Sequence, residues 1–323
     1  TTASVRSFAQ DQLKPSARAV VYGVPGTQKL AAEVPTPKAD EAAAAKKGGE
    51  AITPDEPWRN SAPKPGAARA LSLPTPKSFT LPNGLTLIHN QRPGLPVVSA
   101  NLVVRTGSDA NPLDKPGLAN FVAAMLDEGT ATRNALQIAD ETAQLGANLN
   151  TGSSMDATFV SVSSLKKTFP AALGLLADIV LHPSFPQAEI DRQRASRLAQ
   201  ILQRRENPAI VSNQVIAAAL YGTQHPYGYP QIGTEASIKA ADRDAMVAFW
   251  KQNFVPNNAA LVVAGNISES ELRSLAEKEF GSWQQGTPAR PNLGAPTTTS
   301  AKLVLVDKPG AQQTYLRVGR VAV

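Results

Sequence analysis

The sequence predicts an α+β fold, a mixed sheet with helices packed mainly on one face, over residues 77–285 of the 323. Three observations predict it. From Lys77 onward, short apolar alternations of period two interleave with longer stretches of period near 3.6. The tripeptide Pro82-Asn83-Gly84 joins two alternating runs, 79–81 and 85–89, as a hairpin turn does. The 42% hydrophobic content is enough for a core at this length; with aromatics at 5%, Leu, Val, Ile and Ala must do most of the packing.

The elements follow in order. Residues 5–24 echo 246–265, with Phe8, Leu13 and Pro15 matching Phe249, Phe254 and Pro256 at a constant offset of 241 positions. In both copies a helix ends in a proline turn and leads into an apolar strand, so residues 1–26 are expected to be the tail of a preceding homologous unit. Chance similarity in a short N-terminus is the other reading. Residues 27–76 are a Pro/Ala-rich linker, with an alanine-lysine-glycine tract at 42–49 and Trp58 as an anchor. After the hairpin come a strand at 97–105, a loop at 107–116 and a helix carrying Asn120 and Ala124. A helix at 134–146 precedes strands at 147–151 and 157–165, which flank a Gly-Ser turn. Helices are predicted at 169–181, 186–206 with Pro186 in the first turn, 208–221, 241–254 and 269–280, with a strand at 259–264. Residues 286–323 read as a second linker followed by strands at 302–306 and 313–323 that open a next subdomain.

Composition narrows the chemistry. The chain has no cysteine, which removes disulfides, thiolate zinc sites and cysteine nucleophiles. The formal charge of +6 is dispersed. Its densest cluster, Arg192, Arg194, Arg197, Arg204 and Arg205, lacks interleaved aromatics and reads as a solvated helix face, so no nucleic-acid partner is expected. No apolar run approaches the ~20 residues of a transmembrane helix. The opening TTASVRSFAQ lacks a charged-then-apolar signal pattern. His89, His182 and His225 lie far apart and read as structural. Asp127 and Glu128 are adjacent and point apart on a helix end, and Ser153, Ser154 and Asp156 belong to no nucleophile elbow.

The stretch GLANFVAAMLDEGT at 117–130 resembles the active-site helix of the inverted-motif zinc metallopeptidases: the family of pitrilysin, insulin-degrading enzyme and mitochondrial processing peptidase. There H-x-x-E-H places two imidazoles at i and i+4 around one zinc, with a carboxylate at i+3 as general base. Here Asn120 and Ala124 stand at the histidine positions and Ala123 at the base. The family's third ligand, a glutamate on a later helix, corresponds to Gln200, and a supporting acid corresponds to Gln193. Further runs in register carry the same resemblance: LPNGLTLI, RTGSDANP, LGANLNTGSSMDATFVSV, LLADIVLHPSFP, HPYGYPQIGTEASI and FVPNNAALVVAGNI.

The resemblance implies a pitrilysin/processing-peptidase-like subdomain of the non-catalytic kind, with Asn120, Ala123, Ala124 and Gln200 as vestigial positions. No metal is expected in this chain; zinc would lie in a homologous catalytic half, from the same precursor or a separate subunit. The implied function is to complete the substrate chamber of a zinc metalloendopeptidase and help hold peptides. In active relatives a peptide adds to a sheet edge through main-chain hydrogen bonds, which assigns Asn148, Leu149, Asn150, Thr151, Gly152 and Ser153 as peptide-binding candidates. The alternative is a structural or peptide-binding assembly module with no active partner. The sequence leaves the compartment open; the family's bacterial members and the alanine- and proline-rich composition are compatible with a bacterial periplasm or cell envelope.

Overall fold

The structure is a computed structural model that describes residues 1–23, 57–66, 74–289, 293, 301–311 and 313–321. It divides into two compact units, Thr1–Ala70 and Leu71–Val323. Much of the predicted linker, residues 27–56 and 67–73, lies outside the described residues.

In the first unit, helix α1 (Thr2–Gln12) starts at Thr1, whose hydroxyl oxygen accepts from the Ser4 amide at 3.2 Å. Leu13 closes it and a 3-10 turn follows at Pro15–Ala17. A second 3-10 turn, Pro57–Asn60, contains Trp58.

The second unit is built on a six-stranded sheet in the order β1-β2-β6-β3-β5-β4. The strands are β1 (Lys77–Thr80), β2 (Thr86–Gln91), β3 (Val97–Val104), β4 (Asn148–Ser153), β5 (Thr158–Leu165) and β6 (Ala259–Gly265). β2 and β6 run parallel and the other neighbours antiparallel, so the sheet is mixed. Strand period two assigns the faces. Leu87, Val98, Ala100, Leu102, Val104, Val160, Val162, Leu261 and Val263 are buried on one side. On the other, Phe159 and Val262 remain 37% exposed. At about 1.5–3 kcal/mol per large apolar side chain, the buried face fixes the register, since a one-residue slip would expose it.

The helices are α2 (Leu118–Ala123), α3 (Ala135–Gln144), α4 (Phe169–Leu181), α5 (Gln187–Arg205), α6 (Pro208–Tyr221), α7 (Glu235–Ala240), α8 (Arg243–Asn253) and α9 (Glu269–Phe280). α4 is apolar on nearly every side and packs against β5 as the core helix, with Leu173, Leu175, Leu176, Ile179 and Val180 fully buried. Among the described residues no helix is long and apolar enough to cross a membrane.

The internal echo has a structural counterpart. α8 ends at Asn253, Phe254 caps it and a 3-10 turn occupies Pro256–Asn258, each 241 positions beyond its equivalent around α1. The copies then diverge. β6 lies between β2 and β3, whereas residues 18–23 form no strand. The strands expected at 302–306 and 313–323 are likewise unformed among the described residues, and Leu303 and Leu305 are 93% and 90% exposed. Alternation supplies a strand's faces, but a strand also needs a neighbour to complete its hydrogen-bond ladder. Two smaller departures concern ends: Pro186 is the N-cap of α5 rather than part of its first turn, and α7 was not anticipated.

Candidate functional site

α2 is held in place at its N-terminus. Gly117 precedes it with φ 89°, and a Cβ there would lie 2.5 Å from Gly233 Cα. Asn111 Oδ1 accepts from the Ala119 amide at 2.8 Å, and Asn111 Nδ2 donates to the Tyr229 hydroxyl, which itself donates to the Ser108 carbonyl. Ser237 at the start of α7 donates to the Pro116 carbonyl at 2.7 Å. The helix thereby joins the 225–234 loop and α7 into one scaffold.

Of the four positions singled out on the sequence, Asn120 and Gln200 come together. They line a cavity of about 350 Å³ with Gln193, Arg197, Arg204, Gln231 and Ile232. Ala123 is fully buried in the core, and Ala124 is the half-buried C-cap of α2. Among the described residues no group of three or more His, Cys, Asp or Glu could hold a metal ion.

Arg197 is the residue that sequence reasoning missed. Expected on a solvated face, it is only 6% exposed. Its Nη1 donates to Asn120 Oδ1 at 2.7 Å, its Nη2 donates to the Asn120 carbonyl at 2.9 Å, and the guanidinium lies 4.7 Å above the Phe121 ring. Burial lowers its pKa to about 10, which leaves it cationic at neutral pH. Arg192 and Arg205 do face solvent, with side chains 57% and 59% exposed. The signal was helical spacing: 193, 197, 200 and 204 recur at i, i+4, i+7 and i+11, which is one stripe of α5.

The surrounding acids are engaged elsewhere. Glu128 accepts from Gln193 Nε2 and from Arg192, fixing α5 to the end of α2. Arg194 donates to the Ile238 and Ala241 carbonyls and braces α5 on α7. Burial, and then the neighbouring Glu128 charge, raise the pKa of Asp127 in the turn after α2. α2 packs against β4, which forms one edge of the sheet and carries all six peptide-binding candidates, Asn148 to Ser153. Gly152 sits against the Phe159 ring, where a Cβ would come within 2.4 Å of Cζ.

The histidines are dispersed. His89 is buried in the core with Nε2 3.0 Å from the Ile267 carbonyl. His182 Nδ1 lies 3.2 Å from Asp178 Oδ1, one turn back on α4. His225 stacks on Tyr221, and its Nδ1 accepts from the Tyr227 amide.

Comparison with known proteins agrees with this layout. Residues 86–234 match the family model described as insulinase (peptidase family M16), and residues 240–323 match that of the peptidase M16 inactive domain. An uncharacterized zinc protease of Mycobacterium leprae is 29% identical, over 74% of this chain and 54% of its own length. A probable mitochondrial-processing peptidase subunit beta of Schizosaccharomyces pombe is 28% identical, over 72% of this chain and 50% of its own. The chain thus spans about half the length of the curated relatives it matches. A peptidase M16 inactive domain from Pseudomonas fluorescens superposes with a TM-score of 0.65 at 25% identity, covering 69% of this chain and 54% of that one. A Helicobacter pylori protease shares the fold, with a TM-score of 0.64 at 21% identity over 68% and 54%. Two models of one family, matched in chain order along most of the sequence and joined by this likeness of fold, place the chain in peptidase family M16.

Proposed function

We propose that this chain is a non-catalytic half of a zinc metalloendopeptidase, completing the substrate chamber and helping to hold peptides for a homologous, zinc-bearing half. The observation that carries the reading is the donor set at the cavity. The side chains present do not fit a zinc ion. Ala123 and Ala124 offer no lone pair, and the Asn120 side-chain oxygen is already engaged by Arg197 at 2.7 Å. Gln200 is a neutral amide, and the cavity wall carries a guanidinium where a dication would need carboxylate and imidazole donors. No hydrolytic step is assigned to these residues. The helix, cap and 3-10 turn repeated between residues 2–17 and 243–258 support reading residues 1–26 as the tail of a preceding homologous unit.

Peptide holding needs backbone rather than catalytic side chains. β4 supplies an edge with one ladder side paired to β5, and α2 packs against it. Titration of an unfolded peptide into isotopically labelled chain tests this. Main-chain amide shifts at 148–153 are expected, and shifts confined to other elements would remove the β4 edge as the binding surface.

A further inference from the structure

Two guanidinium groups face the same cavity with no acid to answer them. Arg197 and Arg204 are two turns apart on one stripe of α5, and both line the space beside α2. Among the described residues neither forms an ion pair, whereas Arg192, Arg194 and Arg205 on the same helix all do. Arg197 gives one hydrogen from each Nη to Asn120, and its Nε–H has no partner. The Arg204 Nε is also shielded from solvent and unpartnered. The remaining wall is uncharged: Gln200 and Gln231 contribute amides, Gln193 is held by Glu128, and Ile232 is its apolar member.

Buried charge without a counter-ion is costly, and a buried donor without an acceptor adds to that cost. Both costs are met by a ligand that brings acceptor oxygens and negative charge. A planar guanidinium fork is matched in shape and charge by a carboxylate, and glutamine amides complete its remaining lone pairs. A cavity of about 350 Å³ has room for a carboxylate and the residue that bears it.

We propose that this cavity binds a carboxylate, supplied by the C-terminus of a peptide, with Arg197 and Arg204 as the paired cationic ligands. The site rests on the reading that the chain holds peptides. It substitutes a fixed positive charge for chemistry: at this cavity a peptide is captured by its end, with no bond broken there.

Calorimetric titration of the full chain with acetyl-trialanine as free acid, the same peptide as C-terminal amide, and sodium acetate tests it. The free acid is expected to bind at least about tenfold more tightly than the amide, as loss of a charge-assisted hydrogen bond implies. Arg204→Gln, at a half-buried position, should weaken the acid about tenfold and leave the amide and the circular dichroism spectrum unchanged. Arg197→Lys, which keeps the charge and loses the fork, should also weaken the acid. Equal binding of acid and amide, insensitive to both variants, overturns the carboxylate site and leaves peptide holding at β4 standing. Binding of neither peptide overturns both. Acetate binding as tightly as the peptide acid overturns the peptide terminus as the source.

Discussion

Gly117→Ala is the sharpest test of how the candidate site is positioned. Gly117 has φ 89°, a left-handed conformation that costs an alanine about 1–2 kcal/mol. Its new Cβ would sit 2.5 Å from Gly233 Cα, 2.6 Å from Gly233 N and 2.8 Å from the Ile232 carbonyl carbon, all main-chain atoms. No side chain can rotate away, and the Ser237 to Pro116 bond holds the two passes together. Overpacking of this kind adds about 1–3 kcal/mol. The total of about 3 kcal/mol corresponds to a Tm lower by roughly 6–12 °C for a unit of this size. Gly146→Ala is the control: its φ is 60° but nothing lies within 4 Å of the new Cβ, so only the conformational cost of about 1–2 kcal/mol applies. Urea unfolding followed by far-ultraviolet circular dichroism measures both. If the two variants lose the same stability, the backbone contact between the start of α2 and the 225–234 loop is not what holds the cavity together.

Phe121→Ala should cost about 3–5 kcal/mol, because the ring is fully buried and carries the Arg197 guanidinium, while Phe121→Leu should cost far less; similar losses in urea unfolding would contradict that packing. Asp127→Asn should stabilise the chain near neutral pH. The folded-state pKa of Asp127 lies above its ordinary 3.8, so the stabilising contribution of its carboxyl is fully present below 3.8 and is lost as pH rises through the folded value. The stability gap between variant and parent should therefore open with rising pH and close toward 3.8, and a gap constant across that window would contradict the burial of this carboxyl.

Most of the sheet and the long helices were legible in the sequence because period and burial coincide there. Residues 169–181, 208–221 and 269–280 are bounded in the structure as their prolines, caps and apolar runs predict. α7 was not legible: its capping box uses Ser237 where a longer acceptor is usual, and its six residues give no period. Residues 302–306 have the apolar, partly β-branched run of a strand without a ladder among the described residues. At the site, Asn120 and Gln200 were found through motif frame and spacing, and they do share a cavity. Arg197 was read by charge type, which favours solvent, although its position on the stripe with Gln193 and Gln200 turns it inward.

The central claim is that Asn120, Ala123, Ala124 and Gln200 form no zinc site, and it is tested most directly by elemental mass spectrometry of the purified chain after zinc loading and gel filtration. Less than about a tenth of an equivalent is the expected result, since a zinc site needs three or four nitrogen, sulfur or carboxylate ligands. A stoichiometric equivalent that survives filtration would contradict the claim and direct the search to His89, His182 and His225.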